Sequence, residues 1–272
     1  MRMVFSSWSL ENPEVATSRL TEHANKRHLA SQMDLERRSY AVYPTALAEF
    51  GPRSKVLITA SASITCHACA GFVGAYWFEL SGGKWRLVKR HDIAALHGFF
   101  GDAGEVSQVG LANGRVGIAV KEGSVWGGLA NDWLSIYEVD QHGLHSLLKL
   151  LPIDADSTGA YYACDEVLKQ PPSIAVRRAE EKGEDLCMSI QSDWHVKPSK
   201  TTPGDIEMHF IAHKQQRALV ANVGTPSQGA AEGLMDPALF DATHVRNEYS
   251  ARYRYRNGHY VLVAGMNPVK AF

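Results

Sequence analysis

The sequence predicts a mainly β protein: an antiparallel meander of hairpins, built as a small propeller-like body, a barrel or a sandwich, with a helical N-terminal arm. Apolar and polar residues alternate at period two in several separate stretches beyond Lys55. Gly-bearing pairs interrupt those stretches at hairpin spacing. The 272 residues fit one β domain with an appendage, which divides the chain into an arm over 1–50 and a body over 51–272.

The arm comes first. Asn12 can cap a helix, Pro13 suits its first position, and Ala16, Leu20 and Ala24 recur every four residues, so 12–38 reads as an amphipathic helix. In the body, Tyr76, Phe78 and Leu80 alternate up to Gly82-Gly83, with Trp85 and Leu87 beyond. A two-residue turn there sets Leu80 opposite Trp85, Phe78 opposite Leu87 and Glu79 opposite Arg86. Asn113-Gly114 predicts a second hairpin, pairing Leu111 with Val116 and Val109 with Ile118. A third joins 134–139 to 144–150, and a fourth joins 206–213 to 218–223. The fifth turns at Asn257-Gly258, with Tyr255 opposite Tyr260 and Tyr253 opposite Leu262. The echo between 77–88 and 252–263 leans toward a propeller-like body. Short helices are expected at 174–182 and 230–240.

Composition narrows the function. A net charge of -1 offers no global field for a phosphate backbone, so nucleic acid is not the expected partner. No apolar run reaches the roughly 18 residues of a membrane helix. The N-terminus lacks an apolar stretch of signal-peptide length, so the chain reads as cytoplasmic or as a mature form. The even cysteine count permits two bridges and points toward export.

Cys66-His67-Ala68-Cys69 lies between the strand ending near Ala60 and the one entering Tyr76. A thioredoxin-type pair needs a helix N-terminus that lowers the thiol pKa, which this context does not supply. A zinc site could add Cys164 and Cys187, but these lack the close spacing of such motifs. The plainer reading is a short Cys66–Cys69 bridge and a Cys164–Cys187 bridge, both structural. Asp154, Asp156, Thr158 and Asp165 partly follow a calcium-loop pattern, although the twelfth position is Asp where Glu is usual. His209 and His213 share a strand face but sit about 13 Å apart at strand rise, too far for one metal. His91, His97, His142 and His145 read as surface histidines, and no hydrolase, phosphate-loop or dinucleotide motif is present.

Two surfaces are candidates for binding a partner. Arg252, Arg254 and Arg256 alternate with inward tyrosines and present an Arg ladder. Trp126 sits in a Gly-rich loop over 122–132, the kind of place where aromatic anchors occur.

The segments CHACAGFVGAYWFELSGGKWRLV, EGSVWGGLANDWLSIYEV and RYRYRNGHYVLVAG resemble a group of bacterial envelope proteins with a CHAC-type loop ahead of a β hairpin. The architecture is also similar to the β-rich inhibitor and immunity proteins that neutralise cell-wall-attacking toxins. The resemblance implies an exported, β-rich, non-enzymatic protein. The expected function is accordingly that of a periplasmic or envelope protein that binds a protein partner, with no cofactor expected beyond the calcium candidate above. The alternatives are a hydrolase with a carboxylate pair or metal in the mouth of the β body, and a structural component of an envelope assembly.

Overall fold

The alternating stretches become strands, and each element whose bounds are described is a strand. The computed structural model describes residues 1–16, 39–63, 66–160, 164, 168, 187–219 and 240–270, with backbone alone at 215–219 and 240–243. β1 (Glu14–Ala16), β2 (Ser39–Glu49), β3 (Ser54–Ser61), β4 (Gly71–Ser81) and β5 (Lys84–His97) form a five-stranded sheet in that order. β6 (Glu105–Ala112), β7 (Arg115–Trp126), β8 (Leu129–Val139), β9 (Leu144–Asp156), β10 (Met188–Lys197), β11 (Asp205–Leu219), β12 (Phe240–Arg256) and β13 (His259–Gly265) form an eight-stranded sheet, again in sequential order. The pairing is antiparallel throughout.

Two glycine turns set the register that their sequence predicts. Gly82-Gly83 pairs Leu80 with Trp85, Glu79 with Arg86 and Phe78 with Leu87. Asn257-Gly258, both at positive φ, pairs Tyr255 with Tyr260 and Tyr253 with Leu262. The third hairpin also forms, with Val139 opposite Leu144.

Four expectations need correction. At Asn113-Gly114 a bulge between Gly110 and Ala112 shifts the pairing, so Val116 faces Gly110 and Ile118 faces Gln108. The extra residue is Leu111, which is fully buried against the core instead of facing Val116. The fourth hairpin does not form: β11 runs straight through Gln215 and Gln216, and Ala218 pairs with Asp241 of β12. Those residues carry no Gly, Pro or Asn to turn the chain, so the ladder continues. The helix expected from 12 is instead strand at its start, because β1 pairs with β2 and Val15 is buried there. The rest of that helix, and most of those at 174–182 and 230–240, lie outside the described residues. Finally, a propeller would divide the strands into separate blades, whereas here two meandering sheets share interior surfaces.

The eight-stranded sheet curls into a half-barrel. Its edges bend back: Ser199, after β10, bridges to Ala112 of β6, and Asn267, after β13, donates to the Pro152 carbonyl of β9. Leu134, Ile136, Phe210, Tyr253 and Tyr260 fill the inside of this curl. A second core lies between the sheets, where Val56, Ile58, Val73 and Trp77 meet Ile118, Val120, Tyr137 and Val139. A third covers the far side of the five-stranded sheet, where Phe5 packs edge-on against Tyr76.

Candidate functional site

Gly127 and Gly128, both at positive φ, make a two-residue turn between β7 and β8. Trp126 therefore ends a strand, opposite Leu129, and does not ride a long loop as its glycine-rich surroundings suggested. It remains 72% exposed, beside Val125 at 59%.

The Cys66–Cys69 disulfide closes a short turn in which the Cys69 N–H donates to the Cys66 carbonyl at 3.0 Å. That turn lies against the 98–104 loop: the Phe100 N–H donates to His67 O at 3.2 Å, and the Gly101 N–H to Cys69 O at 2.8 Å. The His67 ring stands edge-on to Phe100 at 4.5 Å and to Trp126 at 4.9 Å, and its Nε2 lies 3.2 Å from Val125 O. Phe100 holds φ at +57°, a left-handed conformation costly for a bulky residue, and is still 42% exposed. Three segments distant in sequence thus assemble an aromatic cap. Beneath it is a cleft of about 420 Å³ lined by Ala62, Ser63, Gly98, Phe99, Asp102 and Gly123.

A buried polar chain anchors the loop that carries Phe99 and Phe100. His97 Nδ1 donates to Glu122 at 2.8 Å, and the Gly98 N–H donates to the other oxygen of that carboxylate. In a neutral ring Nε2 is then free to accept from the Tyr137 hydroxyl, 2.7 Å away. All three side chains are buried, so His97 is not the surface histidine expected. Burial first, and the Glu122 charge second, push the Tyr137 hydroxyl up to about 12. His97 belongs to β5, while Glu122 and Tyr137 belong to β7 and β8, so this chain joins the two sheets. Sequence reasoning missed it, although Glu122 stands at period two after Ile118 and Val120, a carboxylate on an apolar face.

A different polar row lies across the half-barrel near the same end. Lys121 Nζ reaches Asp132 at 3.0 Å and Asp154 at 2.7 Å, and Asp154 also accepts from the Ser192 N–H and hydroxyl. Burial opposes the charge on Lys121, but the hydrogen bonds it donates to Asp154 and Asp132 hold its pKa above the usual value. These residues border a cleft of about 450 Å³ with Asp156, Ser189 and Gln191.

The row also locates the calcium pattern. Asp154 and Asp156 lie within β9 and not in a turning loop, Asp156 accepts from the Thr158 N–H and hydroxyl, and Asp165 is outside the described residues. No cluster of metal-ligating side chains occurs among the described residues.

The Arg ladder is at the opposite end of the eight-stranded sheet. Arg254 makes a forked pair with Asp205 at 3.1 and 2.9 Å, Arg252 comes within 3.8 Å of the same carboxylate, and Arg256 is exposed beside the turn. Asp205 is held below the usual carboxylate range, chiefly by the Arg254 hydrogen bond, with Arg252 adding charge. The structure therefore does not bring the ladder and Trp126 into one surface. His209 pairs with Glu248 at 3.4 Å, while His213 contacts His244 at 2.8 Å. Burial, then His244, lowers the His213 pKa.

Both cysteine pairs are bridged, Cys66 to Cys69 and Cys164 to Cys187. No helix among the described residues is long and apolar enough to cross a membrane. No family model, curated protein or solved structure matches the chain.

Proposed function

We propose that this is a non-catalytic binding protein of a disulfide-permissive compartment outside the cytoplasm, and that it engages a protein partner through the aromatic cap. The observation that carries the reading is Trp126, left 72% exposed while its inner edge is fixed against His67. A large aromatic presented in a fixed pose loses little conformational freedom on binding, which is the physical basis of anchor residues. The two bridges agree with an oxidising compartment.

The narrower form of the reading is an inhibitor or immunity protein that neutralises a secreted toxin or cell-wall hydrolase in the bacterial periplasm or envelope, needing no cofactor. Affinity capture from the native host with the wild type, Trp126→Ala and Arg254→Ala tests it. A partner retained by wild type and Arg254→Ala, and lost by Trp126→Ala, is the expected result. Equal capture by all three overturns the reading. Rescue of cells from the captured partner's toxicity tests the narrower form.

A further inference from the structure

We infer that the Cys66–Cys69 disulfide is a reducible clasp that sets the order of the aromatic cap; the inference deepens the binding reading and rests on it. The two bridges differ in kind. Cys164 and Cys187 are 1% and 2% exposed and join positions 23 apart in sequence, so that bridge is shielded from a solution thiol. Cys66 is exposed, Cys69 is half-buried, and only three positions separate them. Accessible disulfides are the ones that exchange, since the attacking thiolate must reach a sulfur in line.

The consequence of opening it follows from what holds the CHAC turn. Between β3 and β4, His67 and Cys69 supply the carbonyls for the Phe100 and Gly101 N–H groups, and the His67 ring supplies the inner face against Trp126 and Phe100. The bridge fixes the Cα atoms of Cys66 and Cys69 at 5.1 Å and so holds both carbonyls in place. Glu122 and Ser61 still hold Gly98 and Gly101 on either side, but Phe100, in its left-handed conformation, loses the acceptor of its own N–H once those carbonyls move.

The step balances with a dithiol reductant of the thioredoxin class. Its thiolate attacks Sγ of Cys66, the Cys66–Cys69 bond breaks, and Cys69 leaves as a thiolate that takes up a proton. The second thiol of the reductant then displaces Cys66 from the mixed disulfide. Two electrons and two protons pass to the protein, and the reductant ends as its own disulfide.

The test needs no partner, so its failure is distinct from failure of the binding reading. Limiting dithiothreitol, alkylation and peptide mass mapping should label Cys66 and Cys69 before Cys164 and Cys187, by about tenfold in rate. In that partly reduced protein, and in Cys66→Ser/Cys69→Ser, amide hydrogen exchange at Phe100 and Gly101 should accelerate by about tenfold, while Ile118 and Val120 in β7 keep their protection. Reduction of Cys164–Cys187 first, or unchanged protection at Phe100 and Gly101 in the partly reduced protein, overturns the inference. The partly reduced wild type decides the matter even where the double serine variant does not fold.

Discussion

The two ends of the eight-stranded sheet solve opposite problems. At the end where Lys197 faces Asp205, three arginines are matched: Arg254 and Arg252 turn to Asp205, and Arg115 forks onto Glu138 at 2.6 Å. At the end where Trp126 faces Leu129, the conspicuous apolar groups are left unmatched, and disulfide, strained backbone and buried hydrogen bonds hold them in place. A matched charge has little left to offer a partner, because its field is already spent on a neighbour. An exposed, immobilised aromatic retains most of its apolar surface for one.

That contrast is broken most directly at Glu122. Glu122→Ala leaves the His97 Nδ1–H and the Gly98 N–H without their acceptor in a buried seam, and urea denaturation should register a loss of about 3 kcal/mol. A loss below about 0.5 kcal/mol would place the seam outside the stabilising structure. Trp126→Ala separates binding from folding: stability should change by no more than about 0.5 kcal/mol, whereas partner affinity should fall by at least about 2 kcal/mol, read by calorimetry once the partner is isolated.

Tyr137 sharpens the comparison through pH. Its folded pKa of about 12 lies above the ordinary value of 10.0, so its share of stability is complete below pH 10 and is lost as pH rises toward 12. Burial also raises Tyr76, Tyr253 and Tyr260, so ultraviolet titration should show several late tyrosines, of which Tyr137→Phe removes one near 12. The smallest effect belongs to the charged end. Asp205 has a lowered folded pKa, so its contribution is present above the ordinary carboxylate value of 3.8 and fades as pH falls through the lowered one. Arg254→Ala should flatten that acid limb in thermal melts while leaving the neutral melting temperature almost unmoved, since the pair is exposed.

Legibility in the sequence followed the range of the interactions. Gly82-Gly83 and Asn257-Gly258 fix register locally, so their cross-strand partners could be read residue by residue. Leu111 could not, because a bulge and a regular pair look alike when apolar residues stand on both sides of it. The N-terminal four-residue spacing was overruled at β1 by pairing with β2, a tertiary choice that local periodicity does not contain. The cap was half legible. Trp126 and the CHAC turn each stood out, but their meeting through the His67 ring, 59 positions from Trp126, and the His97–Glu122–Tyr137 chain unite residues that leave no common pattern.

The most direct measurement is site-specific photo-crosslinking in the native host, with the reactive group at Val125 beside the cap or at Leu262 near the charged end, both exposed. The account predicts a discrete protein adduct from position 125, absent on adding Trp126→Ala, and none from position 262. The same adduct from 262, or persistence at 125 without the Trp126 ring, would contradict it.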